Sequence, residues 1–418
     1  MTPPPLRVFS ADQAEAGSYD VVVIGAGVAG AYSAFLAARR GLRVLLIERQ
    51  SFPRSKICGC CLNRRAQELL RMAGLSELLS SLQPVRTDVM RVQRRGRCLE
   101  LPVPGGLVIS RRTLDEQLVS KAVRAGAEFI DDTTALVLPA DLPSADCRRI
   151  SLSRKGSDSN GVVSAGRTRT PLDSIVEASV VLVCDGLGHS SLARLPEFHS
   201  RAEPGARIGL GGVCERASGD EHFQPHEILM AVSSSGYVGV VETETGQLNL
   251  AAAVDSSALQ RAGSPAECLS RIFADAGVRC PGNLSSAVIR GTPPLTRRSP
   301  RLSGSRLLLL GDATGYVEPF TGEGMAWALT AAWTAAPLVA TAVQCGWTSA
   351  LEQQYAAALQ AAVGREQHIC RALSRILKHP GLSAAAMVAA RICPWAVRAI
   401  VGRINRLPTL SEPAIETV

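Results

Sequence analysis

Aromatic side chains are scarce in this chain of 418 residues, where Phe, Trp and Tyr together make up 4%. No basic run is interleaved with aromatics, so the sequence offers no stacking platform for single-stranded nucleic acid, and nucleic acid is not an expected partner. Histidine is sparse too, with 6 residues. The cluster Cys58-Gly59-Cys60-Cys61 has no second cysteine pair at zinc spacing, and the histidine nearest to it in sequence is His189, so no metal site is expected. The first 18 residues lack the basic start and apolar centre of a secretory signal and are expected to be a flexible tail. The 12 cysteines therefore read as reduced thiols rather than a disulfide framework, which makes a cytoplasmic setting the expectation.

What is present points to a large globular core. Hydrophobic residues make up 46% of the chain and glycines number 37, enough for two or three structural units. Lys and Arg outnumber Asp and Glu by 45 to 37, a formal net charge of +8 that favours anionic partners in general. The stretch from Met325 to Trp347 is uncharged and long enough to span a membrane. It is rich in Ala and Thr, contains Pro337 and follows a glycine-rich turn, so a buried helix of the core is the expectation.

The chain opens on a βαβ pattern. An apolar run, Val21 to Ile24, enters a glycine turn; an Ala-rich helical stretch follows and ends at Gly41; Val44 to Ile47 forms a second apolar run. Continuous apolar runs suit parallel strands buried on both faces. A helix is predicted from Arg111 to Ala125, and an irregular stretch from about Cys98 to Val108. Ser144 to Pro171 is polar and predicts a hairpin or surface excursion, after which Val180 to Cys184 returns to a strand ending at Asp185 and Gly186. Alternating stretches between about 205 and 292, among them IGLGGVCERA, YVGVVETETGQLNLAAAV and SSAVIRG, predict antiparallel strands. Arg306 to Leu310 predicts another buried strand, and the region beyond about Trp347 reads as mostly helical.

Two glycine motifs carry the chemistry. Gly25-x-Gly27-x-x-Gly30 lies between strand and helix, with Glu48 at the end of the next strand. Gly25 permits the tight turn, Gly27 lets backbone approach a pyrophosphate and Gly30 permits close helix packing, while Glu48 can accept hydrogen bonds from ribose hydroxyls. This fingerprint predicts a dinucleotide without separating NAD from FAD.

The second motif, RLLLLGDATGYVEPFTGEGM, resembles the flavoprotein superfamily typified by p-hydroxybenzoate hydroxylase, in which a late strand ends in Gly-Asp. The resemblance implies FAD, with Gly311 and Asp312 at its ribityl chain and the backbone of Gly322, Gly324 and Met325 near its ring. It also assigns Arg111, in ISRRTLDEQL, to a cofactor contact, and Asp185-Gly186 to the cofactor pyrophosphate; Arg49 beside Glu48 joins the same set. For Arg111 the bland alternative is a surface arginine at a helix start. Within the superfamily, ERQSFPRSKICG and EPFTGEGM look most similar to the geranylgeranyl reductase branch. The chain departs from that branch at Tyr237-Val238-Gly239-Val240-Val241, which lacks the Trp and Phe-Pro of its lipid-pocket segment. It also carries Thr314 and Gly315 where aromatic hydroxylases have a histidine, and lacks the Trp-x-Trp-x-Ile-Pro of halogenases.

The expected fold class is α/β: a doubly wound, Rossmann-like FAD-binding domain with an antiparallel-sheet substrate domain and a helical C-terminal extension. The expected boundaries are a tail at 1–18, a first cofactor segment at 19–200, the substrate domain at 201–295, a second cofactor segment at 296–346 and the helical region at 347–418. The expected activity is that of an FAD-dependent oxidoreductase acting on a small lipophilic molecule by carbon–carbon double-bond reduction, with Cys58 as the candidate acid beside the flavin. A monooxygenase using NAD(P)H and oxygen is the alternative, and a non-catalytic binding protein the second. No second strand-flanked GxGxxG is present, which fits NAD(P)H as a transient donor. Arg365 to Arg406 contains eight basic residues against one acid, Glu366, with apolar residues between them. Such a pattern suits either a helical lid with a solvated basic face or a peripheral contact with an anionic membrane surface.

Overall fold

A computed structural model of the chain describes residues 17–140, 146–154, 174–216, 223–318, 320, 322–393, 395, 399 and 401–402. The predicted tail lies outside these residues up to position 16, and Ser18 already belongs to the first strand. Most of the polar stretch 144–171 also lies outside them, leaving the strand Arg148–Arg154 as its described part.

Two large sheets and a layer of helices build the molecule. The first sheet runs in the order Ser303–Gly304, Leu307–Leu309, Ser174–Val183, Ser18–Ile24, Val44–Ile47, Glu128–Ile130. From Leu307–Leu309 onwards these neighbours are parallel. An antiparallel pair, Thr133–Val137 with Arg148–Arg154, continues onto Ser174–Val183. Val44–Ile47 is buried at every position and Ser18–Ile24 at five of seven, as the uninterrupted apolar runs require of strands covered on both faces. Each Val, Leu or Ile so buried stabilises the fold by roughly 1.5–3 kcal/mol relative to exposure. The helix Val28–Ala38 is likewise buried along its whole length. It packs against the helices Gly324–Cys345 and Arg111–Arg124.

The second sheet is ordered Arg290–Pro294, Ile208–Cys214, Leu248–Val254, Gly236–Glu242, Glu227–Val232, Val85–Arg94, Arg97–Val108, Cys61–Leu62. All neighbours are antiparallel except Glu227–Val232 with Val85–Arg94. Two sequence expectations are corrected here. Residues 98–108 are not irregular but form a strand, and Arg290–Pro294, not the whole of SSAVIRG, forms the last one. Pro102 is tolerated because it pairs with Val89 beside a register shift, in a strand whose far side is covered only near Val108. The sheet also recruits residues 61–62 and 85–108, which the expected boundaries assigned to the cofactor segment.

The uncharged stretch becomes the helix Gly324–Cys345, long and apolar enough to cross a membrane, yet 72% buried against the rest of the protein over its most apolar window. It is apolar because most of it is enclosed, from Met325 to Ala336; its exposed positions, Pro337, Thr341, Gln344 and Cys345, fall in the C-terminal part. The helix Ser349–Lys378 lies over it, anchored by Tyr355, whose hydroxyl donates to the Leu309 carbonyl at 2.6 Å, and by Arg65, which donates to the Ala362 carbonyl at 2.7 Å. A last helix, Pro380–Ile392, rests on the edge strand Arg97–Val108.

Candidate functional site

The glycine fingerprint folds as its spacing demands. Gly25 adopts φ +100°. A side chain at Gly30 would bring its Cβ to 1.8 Å from the Gly25 carbonyl oxygen, so only glycine lets the helix start against the turn. Gly27 is the N-cap of Val28–Ala38 and supplies no side-chain cap, leaving the helix N–H groups directed into the adjoining cleft. Glu48 is buried at the end of the neighbouring strand. Its carboxylate accepts from the N–H groups of Ala26 and Gln50, both at 3.1 Å, and from Arg54 at 2.9 Å. One lone pair of four remains for a ribose hydroxyl.

Arg54 also reaches Asp115 at 2.9 Å, and Asp115 in turn holds Arg111 in a two-pronged pair at 2.9 and 2.8 Å. Arg111 is therefore no surface arginine: only 6% of it is exposed. Burial works against its charge, yet Asp115 and the neighbouring Cys58 hold the guanidinium ionised more firmly than usual.

Cys58 and Cys60 lead into Cys61, the first residue of the second-sheet strand Cys61–Leu62. The Cys60 N–H donates to the Cys58 sulfur at 3.4 Å, and Asn249 donates to the Cys58 carbonyl at 2.8 Å. The Cys60 thiol pulls the Cys58 pKa down to about 6, against burial and with help from Arg111. The Cys60 thiol is pushed well above the ordinary range by the same contact and by burial, and Cys61 is pushed up to about 12 by burial. The Cys58–Cys60 pair thus sheds one proton readily and keeps the other.

The second motif lies across the same cleft. Gly311, at φ +61°, leads into a short turn closed by the Thr314 hydroxyl, which donates to the Gly311 carbonyl at 2.8 Å. Asp312 projects from it and pairs with Lys56 at 3.2 Å. Gly322 takes φ +83° and packs beside Cys61, and the helix begins at Gly324 with no side-chain cap at Glu323. Two helix N-termini therefore open onto one cavity.

That cavity has a volume of about 540 Å³. Of the expected residues, Gly27, Arg49, Cys58, Arg111, Asp185, Gly311, Asp312, Gly322, Gly324 and Met325 line it. Gly25 and Glu48 line a smaller adjoining pocket of about 120 Å³, whose wall shares Gly27, Arg49 and Asp185. Gly30 lines neither and acts through packing. Asp185 accepts from the Ser191 N–H and hydroxyl through one oxygen, while its other oxygen is buried without a partner. Burial raises its pKa. The opposite wall is apolar: Met90, Ile228, Met230, Val241, Leu295 and Phe320 all face the cavity. Along Gly236–Glu242, residues Tyr237, Gly239 and Val241 alternate into it, while Val238 and Val240 face a separate core.

FAD fits this arrangement. A long molecule with an anionic middle meets an open helix N-terminus flanked by Arg111, a carboxylate at each of two separated points, and a second open helix N-terminus where its ring would end. Residues 18–363 match the model of the family described as FAD binding domain. The chain belongs to this family. It is an FAD-dependent oxidoreductase, of mixed α/β fold. This flavoprotein is 30% identical over 334 residues to digeranylgeranylglycerophospholipid reductase 2 of Methanothermobacter thermautotrophicus, covering 78% of the chain and 79% of the relative. It is 26% identical over 396 residues to the menaquinone reductase of Mycolicibacterium smegmatis, covering 91% and 90%. Among solved structures, a flavoprotein/dehydrogenase from Cytophaga hutchinsonii superposes with a TM-score of 0.74 at 17% identity over 93% of each chain. A flavin-dependent brominase superposes with a TM-score of 0.70 at 18% identity, over 96% of this chain and 97% of its own. Those two likenesses concern the fold.

Sequence reasoning missed one cluster. Glu318 and Arg207, each 1% exposed, pair at 3.4 Å behind the apolar wall, and Arg207 also reaches Asp255 at 3.1 Å. Burial raises the Glu318 pKa against the pull of Arg207. The Arg207 guanidinium lies over the Tyr237 ring at 5.9 Å and Phe320 meets Tyr237 edge-on at 5.1 Å, so the cluster backs the ring wall of the cavity. Glu318 lies inside the quoted EPFTGEGM, but nothing in spacing links it to Arg207.

Proposed function

We propose that this flavoprotein reduces a carbon–carbon double bond in a long apolar substrate of polyprenyl type, with NAD(P)H as a transient electron donor. The observation that carries this reading is the apolar wall, Met90, Ile228, Met230, Val241, Leu295 and Phe320, facing the Asp312 and Gly322–Met325 edge across one cavity. The names of the relatives, reductases of a digeranylgeranyl lipid and of menaquinone, support the same substrate class.

Bound FAD, once reduced, supplies a hydride to one alkene carbon. The chain does the rest. Glu48 would hold a ribose hydroxyl with its remaining lone pair, and the N-terminus of Val28–Ala38 with Arg111 and Arg49 would hold the pyrophosphate. Asp312 would hold the ribityl hydroxyls in place of Lys56. The N-terminus of Gly324–Cys345 would stabilise negative charge on the reduced ring. The second alkene carbon would take its proton from the Cys58–Cys60 pair, both members of which line the cavity. Gly239 leaves open the volume that a larger side chain would fill.

The test is anaerobic. Protein loaded with FAD and reduced with dithionite under nitrogen is mixed with a geranylgeranyl lipid, and flavin absorbance is followed. Return of the oxidised spectrum under nitrogen supports the reductase. A flavin that stays reduced until air is admitted, with substrate converted only then, contradicts it and selects the monooxygenase.

A further inference from the structure

Among the described residues, seven large hydrophobic side chains are exposed, and four of them, Leu382, Val388, Ile392 and Trp395, fall within fourteen consecutive positions at the C-terminal end. Gly381, Ala385, Val388 and Ile392 are all exposed and lie at helical spacing along one face of Pro380–Ile392, and Trp395, beyond the end of that helix, is exposed as well. Ile392 is 72% and Trp395 71% exposed. A stripe of this kind on the outer face of a helix is an interaction surface rather than scattered surface hydrophobicity.

The two C-terminal helices themselves carry charge largely of one sign. Arg365, Arg375 and Arg391 are exposed on the two C-terminal helices. The one acid between 365 and 402, Glu366, is turned inward onto Arg65 at 3.5 Å. The described outer surface of this region thus presents cations without a compensating carboxylate of its own. The preceding helix, Ser349–Lys378, reaches the apolar wall: its Leu373 and Leu377 pack onto the cluster that contains Met90, Met230, Tyr237 and Phe320.

We propose that the outward face of Pro380–Ile392, with Trp395, docks on an anionic lipid bilayer. Val388, Ile392 and Trp395 enter the boundary between headgroups and acyl chains, and Arg375 and Arg391 meet lipid phosphates. A neutral apolar partner would leave the arginines unanswered, and an acidic protein would leave the stripe unanswered; a bilayer with anionic headgroups answers both. The surface deepens the reading of an apolar substrate but stands apart from it, since vesicle binding is read without substrate or turnover.

The full-length protein loaded with FAD is mixed with vesicles of phosphatidylcholine alone or with added phosphatidylglycerol, and both sedimentation and tryptophan emission are followed. Of the four tryptophans, Trp327 and Trp333 are buried, Trp347 is half-buried with its indole N–H on Glu352, and Trp395 is exposed, so a blue shift that disappears with Trp395 reports that residue. The proposal requires co-sedimentation that is at least about tenfold stronger with phosphatidylglycerol and weakened by salt. It also requires a blue shift that Trp395→Phe removes, and loss of binding in Val388→Glu/Ile392→Glu. These positions are exposed, and unchanged flavin content of the double variant shows that it has folded. Equal binding to both vesicle types, no binding to either, or a double variant that sediments like the parent overturns it. So does a dimer, seen by size-exclusion chromatography, that the double variant splits, because the stripe then belongs to a second copy.

Discussion

The two walls of the cavity are built on opposite principles. The first-sheet wall is polar and set by backbone: a positive-φ glycine turn, two open helix N-termini, and a chain of buried charges from Glu48 through Arg54 and Asp115 to Arg111. The second-sheet wall is apolar and set by strand alternation, with Tyr237, Gly239 and Val241 on the cavity side. A cofactor common to a family is held where side chains and glycines have no freedom. A substrate is chosen where alternate residues of a strand can be exchanged without moving the backbone.

This contrast can be broken or sharpened by mutation. The largest effect is expected at Asp115, which is fully buried between two guanidinium groups. Asp115→Ala leaves Arg54 and Arg111 buried without their shared carboxylate and should cost about 3–5 kcal/mol of stability by urea denaturation. A loss below about 1 kcal/mol would mean that the charge chain is not what holds the polar wall. Asp312→Ala comes next. It removes a partly exposed carboxylate, so the fold should hold while flavin is released; loss of a charged hydrogen-bond partner worth about 1.5–3 kcal/mol weakens retention roughly tenfold to a hundredfold. Unchanged flavin content would remove Asp312 from the cofactor site.

Cys58 offers a measurement by pH. Its thiol is held down to about 6, so alkylation of the flavin-free protein should rise with pH up to that value and level off above it. An ordinary thiol would keep rising to roughly pH 8.5. Cys60→Ala removes the largest cause and should move the midpoint up; an unmoved midpoint would assign the effect to Arg111 alone. The smallest effect on the protein as a whole is expected at Gly239, where an added Cβ meets the flexible end of Met230 at 3.0 Å and the Ala251 carbonyl oxygen at 3.5 Å, beside the cavity. Gly239→Leu should leave stability and flavin content nearly intact and raise KM for a long apolar substrate. Lost flavin would show that the two walls are not separable.

The same contrast explains what the sequence made legible. Gly25, Gly27, Gly30, Glu48 and Asp312 announce themselves because a turn, a helix packing distance and a carboxylate at a strand end each demand one residue type at one spacing. The second sheet carries no such demand. Its strands come from 61–62, 85–108 and 208–294, and Pro102 with Gly105 and Gly106 disguises the longest of them. Arg111 was visible as a candidate, but its burial depends on Asp115 one helical turn later and on Arg54 from a different loop. The pair of Arg207 and Glu318 is a matter of tertiary placement across 111 positions. No local pattern records it.

The most direct test of the account is the mass of the product formed under nitrogen by the FAD-loaded, reduced protein from a geranylgeranyl lipid. The account predicts a product heavier than the substrate by two hydrogen atoms for each double bond consumed, formed without oxygen. A product heavier by one oxygen atom, formed only after air is admitted, would contradict it.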